Sequence, residues 1–157
     1  MVLEAYRGSG RPLKIVGTGP EQERLRSALP AEAELLGRVD DQALRELYRG
    51  CRTVVMAGVE DFGIVPVEAM ACGRPAVVFA EGGAQDSVVP GETGVVYHED
   101  SRASLRAAID SLQGLRFNTA ALRARAEAFS RPAFERRFRD FVERALKDAA
   151  HTPGATP

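Results

Sequence analysis

Short apolar runs alternate with amphipathic stretches through the first two thirds of the chain. Leu13-Lys14-Ile15-Val16 reads as a strand that ends at Gly17, and residues 21–29 read as a helix. Ala33 to Leu36 predicts a second strand, after which Asp40 or Asp41 caps a helix running through Tyr48. Thr53-Val54-Val55-Met56 is a third strand, Ala76-Val77-Val78-Phe79 a fourth and Gly94-Val95-Val96-Tyr97 a fifth. Largely apolar strands separated by single helices imply a parallel sheet covered on both faces. The expected fold is therefore α/β, a Rossmann-like doubly wound parallel sheet, in which ligands bind beyond the carboxyl ends of the strands.

From Ser101 onward the pattern turns helical. Leu105, Ala108, Ile109 and Leu112 repeat at helical spacing behind a serine cap, and Asn118 or Thr119 opens another helix reaching about Phe129. Ser130-Arg131-Pro132 restarts a longer helix with Phe134, Phe138, Phe141, Val142 and Leu146 along one face. The simplest reading of that stripe is core. The domain is expected to span residues 1–148, with 149–157 a small, polar, disordered tail. At the other end, Val2 to Tyr6 looks like the remainder of a helix preceding the first strand.

Length and charge narrow the function classes. A chain of 157 residues suits one domain with a real core. Its formal net charge of −1 argues against general nucleic-acid binding, which needs a basic surface. No apolar run is long enough for a membrane span and no signal-type segment opens the chain, so a cytoplasmic location is expected. Cys51 and Cys72 have no metal-type spacing and read as buried free thiols. Nine basic residues lie between Arg116 and Lys147. A solvated helix face is their default reading, and peripheral attraction to the inner face of an anionic membrane is the second. His98 and His151 read as inert.

The chemistry concentrates between Glu60 and Pro75. Glu60 and Glu68 are separated by seven residues that include Gly63 and Pro66, and Gly73-Arg74-Pro75 stops the following helix. Pro66 fits a first helical turn, where its missing N–H costs nothing. Glu60 is thus expected in the loop entering the helix and Glu68 on its first turn. Ionised carboxylates are favoured at that end, and free backbone N–H groups there can hold hydroxyl or phosphate oxygens. Such a constellation suits a polyhydroxylated, anionic ligand such as a sugar nucleotide. A glycosidase pair is a weaker reading, because a hydrolase needs its acids on opposite sides of a sugar.

The stretch Glu60 to Pro75 resembles the paired-glutamate motif of retaining glycosyltransferases with the GT-B fold, of the family 4 type. Gly17-Thr18-Gly19-Pro20, Leu36-Gly37-Arg38-Val39, Gly82-Gly83 with Asp86-Ser87-Val88-Val89, and Gly91-Glu92-Thr93-Gly94 follow in that family's order. The wording around Glu60 is similar to a branch that builds O-antigen polysaccharides from GDP-mannose.

By that resemblance the chain is the donor-binding, C-terminal half of a GT-B enzyme transferring a hexose to a glycan or lipid-linked acceptor. Glu60 then lies against the donor sugar as the catalytic-site acid, and Glu68 holds the ribose hydroxyls. Phe62, Gly63 and Ile64 offer backbone N–H groups to the sugar, with Phe62 equally readable as a core anchor. Gly17 and Gly19 touch the nucleotide or simply form a tight turn; they are no dinucleotide fingerprint, since its third glycine falls on Gln22. Arg38 and Val39 lie in the base-recognition segment, where Arg38 is also readable as an ordinary surface residue.

Neither a metal nor a further cofactor is implied. In the resembled family a strand carrying an Arg and a Lys, and before it an acceptor domain, precede this region. Neither is expected here, so the chain alone should lack transferase activity, and the stripe on the last helix, which in the resembled enzymes crosses back onto the other domain, is also readable as partly uncovered. Two other classes fit the residues: a stand-alone, non-catalytic sugar-nucleotide-binding module, and a fragment of a GT-B-type sugar-nucleotide epimerase.

Overall fold

A computed structural model describes residues 1–150. The tail expected from residue 149 falls mostly outside the described residues, as does His151.

Five parallel strands are present: β1 (Leu13–Val16), β2 (Ala33–Gly37), β3 (Val54–Met56), β4 (Ala76–Phe79) and β5 (Gly94–Tyr97). They are linked by helices α1 (Val2–Tyr6), α2 (Gln22–Ser27), α3 (Asp41–Gly50), α4 (Ile64–Ala71) and α5 (Ala84–Ser87). Helices α6 (Arg102–Ser111), α7 (Thr119–Glu127) and α8 (Arg131–Ala150) follow, with a short 3-10 turn at Leu112–Gly114. The expected caps are in place. Asp40 accepts from the Ala43 amide, Ser101 from Ser104, and Asn118 from Ala120 and Ala121.

The core is built around β4, whose four residues are all buried. Successive side chains of a strand point to opposite faces. Val77 and Phe79 pack beneath α1 and α6 with Tyr6, Tyr97, Leu105 and Ile109. On the other face, Ala76 and Val78 meet Ala84 and Val88. Beyond them Met70 of α4 packs with Leu122 and Ala126 of α7.

The structure departs from expectation in three places. Strands form two separate sheets, β1–β2 and β3–β4–β5, where the pattern suggested one. The two border a cavity of about 1910 Å³ lined by Leu13, Ile15, Val54 and Val55 among others. Strand β1 accordingly exposes Lys14 and Val16, whereas every residue of β4 is buried. Second, the stripe on α8 is not core: Phe134, Phe138, Phe141 and Leu146 are each more than half exposed. Helical spacing announces an apolar face but not what lies over it. Third, Cys51 and Cys72 are free thiols as expected, yet only half-buried.

Candidate functional site

Strand β3 leads into the loop Val59–Gly63, and α4 begins directly behind it at Ile64. That start is earlier than Pro66 alone suggested, so Glu68 is the fifth helical residue and sits on the second turn. The cause is Gly63, whose φ of 72° is accessible to glycine and lets the chain enter the helix abruptly. Pro66 still falls among the first residues, where a missing N–H is harmless.

The motif loop is clasped from the side by the turn after β4. Glu60 and Gly82 form a parallel bridge, and the Gly83 amide donates to the Glu60 carbonyl at 2.7 Å. A Cβ on Gly82 would stand 2.4 Å from the Glu60 carbonyl oxygen, and one on Gly83 2.1 Å from that of Asp61. Gly63 likewise lies on Ala84 of α5, with 2.7 Å left for a Cβ. Glycines at these positions let backbone meet backbone.

Above this base the side chains of Glu60, Phe62 and Ile64 are exposed. Phe62 is not the core anchor it could have been: it is 53% exposed and meets Phe129 edge-on, with centroids 6.0 Å apart. Arg125 lies over the Phe129 ring and donates to the carbonyls of Asp86 and Ser87.

Glu68 has a partner that the sequence did not disclose. The Tyr48 hydroxyl donates to Glu68 Oε2 at 2.8 Å. Burial, and then this hydrogen bond, push the Tyr48 phenol well above its ordinary range, so it remains a neutral donor. The available signal was Tyr48 itself, standing beside Leu44 and Leu47 on one face of α3 with a hydroxyl in need of a partner. The sequence marks Gly82 and Gly83 as a turn, but does not show their hold on Glu60.

Gly17, Gly19, Arg38 and Val39 lie past the carboxyl ends of β1 and β2. The Gly17 amide donates to Gly37 at 2.8 Å, joining the two turns. Gly17, Gly19 and Arg38 are exposed, and Val39 is half-buried. The candidates therefore form two groups, Glu60–Ile64 with Glu68 on one sheet and the Gly17 and Arg38 turns on the other. Of all of them, only Val39 and Glu68 line the cavity between the sheets.

Residues 2–129 match the family model described as glycosyl transferases group 1. The chain belongs to this family. A D-inositol 3-phosphate glycosyltransferase of Geodermatophilus obscurus is 38% identical over 122 residues, which are 73% of this chain and 27% of that protein. The chain spans less than a third of the length of curated relatives such as this one. Among solved structures, the lipopolysaccharide outer core galactosyltransferase WaaB superposes with a TM-score of 0.76 at 16% identity, over 85% of this chain and 41% of that one. Anabaena HepE in complex with UDP-glucose gives 0.60 at 26% identity, over 82% and 38%. The fold is that of GT-B glycosyltransferases, with parallel sheets and flanking helices.

In this group 1 glycosyltransferase chain the N-terminus of α4, directly after the motif loop, carries no side-chain cap, so its first amides have no side-chain partner. Among the described residues no cluster of His, Cys, Asp and Glu suits a metal ion, and no helix is long and apolar enough to cross a membrane.

Proposed function

We propose that this chain is the donor-binding part of a retaining glycosyltransferase and grips a nucleoside diphosphate sugar. Glu68 accepts hydrogen bonds from the ribose hydroxyls. Glu60, with the amides of Phe62, Gly63 and Ile64, addresses the sugar. A carboxylate suits either task, because its two oxygens accept from vicinal hydroxyls and charge-assisted bonds are the stronger kind. The observation that carries this reading is the clasp of Gly82 and Gly83 on Glu60. It fixes the motif loop beside the open end of α4, past the carboxyl ends of β3 and β4.

In the transfer, the bond between the anomeric carbon and the diphosphate oxygen breaks, the acceptor hydroxyl oxygen bonds to that carbon with retained configuration, and its proton leaves with the departing diphosphate. The transition state is oxocarbenium-like, so stabilising the departing diphosphate and orienting the sugar are the main levers. The donor read from the Glu60–Pro75 wording is GDP-mannose. A UDP-hexose is the second reading, favoured by HepE in complex with UDP-glucose.

The reading extends to the cavity between β1 and β3. Both strands turn an edge without a strand partner toward it, and α1 lies on the same face as α6. A right-handed crossover through α1 would lay one more parallel strand there. With that strand and an acceptor domain supplied by further sequence, a glycan or lipid-linked acceptor is served. Alone, the chain is expected to bind nucleotide weakly and transfer nothing.

Calorimetric titration with GDP, UDP and ADP tests the donor site. Glu68→Ala should weaken all three alike, because ribose is common to them. Unequal losses would undo the ribose assignment, and robust turnover by the chain alone would undo the view of it as a partial enzyme.

A further inference from the structure

We infer that Tyr48 is a positioning residue for donor binding, acting through Glu68, which its hydroxyl holds in one orientation. This rests on the ribose-binding reading of Glu68. A glutamate on an exposed helical turn samples several rotamers, and ordering it on ligand arrival opposes binding. The 2.8 Å bond from Tyr48 occupies Oε2 from one side and leaves Oε1, with the remaining lone pairs, open to a diol. A phenol suits this work better than a cation, since it fixes direction without neutralising the acceptor. Its pKa lies above the ordinary range, so the donor proton stays in place at working pH.

The bond joins two elements that are also tied together elsewhere. Tyr48 lies on the last turns of α3, whose carboxyl end is held by Arg74, donating to the Arg49 carbonyl from just beyond α4. The Cys51 thiol caps the Tyr48 carbonyl at 3.2 Å. The Arg74 amide in turn donates to Ala69 within α4 at 2.9 Å. Helices α3 and α4 are thereby stitched at one end, and the phenol arrives at Glu68 on a braced support. Glu68 is thereby oriented before a donor arrives past the carboxyl ends of the strands.

The test is calorimetric titration of the full chain with GDP and UDP, each beside its 2′,3′-dideoxy analogue. Wild type, Tyr48→Phe, Glu68→Ala and the double variant are compared. Tyr48→Phe keeps the ring and its packing, and its far-UV spectrum verifies folding. It is expected to weaken GDP and UDP about tenfold, the upper end for one hydrogen bond, while leaving the dideoxy analogues unchanged. On the Glu68→Ala background it should add nothing.

Equal losses for ribose and dideoxyribose would mark Tyr48 as merely structural and overturn the inference. Discrimination lost in Glu68→Ala but kept in Tyr48→Phe would overturn it while sparing the ribose reading. A wild-type chain that fails to discriminate overturns both.

Discussion

The backbone amide of Gly83 donates to the carbonyl of Glu60 at 2.7 Å, across a chain separation that local sequence cannot bridge. It anchors the motif loop to the turn after β4 at a point where no side chain fits. The geometry of the candidate site is thus controlled from a segment carrying none of its functional groups.

Gly83→Ala should be destabilising for this reason. The new methyl would meet the Asp61 carbonyl at 2.1 Å, and backbone on both sides must shift. Overpacking of this kind costs roughly 1–3 kcal/mol. Urea unfolding should show a lower midpoint, together with weaker nucleotide binding. Gly58→Ala is the control. Nothing lies within 4 Å of its Cβ position, and its stability should stay within about 0.5 kcal/mol of wild type.

Glu60→Ala should separate the sugar from the nucleotide. An exposed carboxylate that bonds only the transferred hexose contributes nothing to binding of the bare diphosphate. Affinity for GDP-mannose or UDP-glucose is expected to fall about tenfold, with GDP and UDP unchanged. Isothermal titration of the four ligands reads this directly. Parallel losses in sugar nucleotide and bare nucleotide would move Glu60 off the sugar.

The three tyrosines make the protein sensitive to alkali. Burial raises the phenols of Tyr6, Tyr48 and Tyr97 above their usual value of 10, and the Glu68 carboxylate raises Tyr48 further. A raised folded-state pKa means that the unfolded chain ionises first. This contribution to stability is complete below pH 10 and is lost as pH climbs from there through the folded-state values. Tyrosinate absorbance should therefore appear together with loss of circular dichroism. Smooth ionisation near pH 10 in an intact fold would contradict it.

Much of this was legible from local signals. Asp40, Ser101 and Asn118 cap the helices they were expected to cap, because a capping side chain and its amide lie within one turn. Five strands also lie where pattern places them, and Glu60 lies in the loop entering α4. Glu68 lies one turn later than Pro66 suggests, since proline is allowed anywhere among the first helical residues and Gly63 decides the start.

What escaped entirely were contacts between segments. Tyr48 and Glu68 lie 20 residues apart, and Gly83 grips Glu60 from 23 residues downstream. Nothing in a periodicity encodes such pairs. The stripe on α8 differs: periodicity shows its amphipathic face, and the structure decides for the uncovered reading over the core one.

That stripe should make the isolated chain self-associate. Phe134, Phe138, Phe141 and Leu146 form a contiguous apolar row in water, of the sort that soluble monomers seldom leave open. Sedimentation velocity should show concentration-dependent association, abolished by Phe134→Ser, Phe138→Ser and Phe141→Ser together. A strictly monomeric wild type at high concentration would count against this.

The break between the two sheets has a consequence for how the molecule comes apart. Within residues 7–62 only Pro30 is buried, and among the described residues β1–β2 share no ladder with the rest. Cooperative melting needs shared interior, and here two bodies own theirs unequally. Amide protons of Ile15 and Leu35 should swap for deuterium long before those of Val77 and Val78, in a separate, earlier wave. Any chain that slid into the breach would merge the two waves into one.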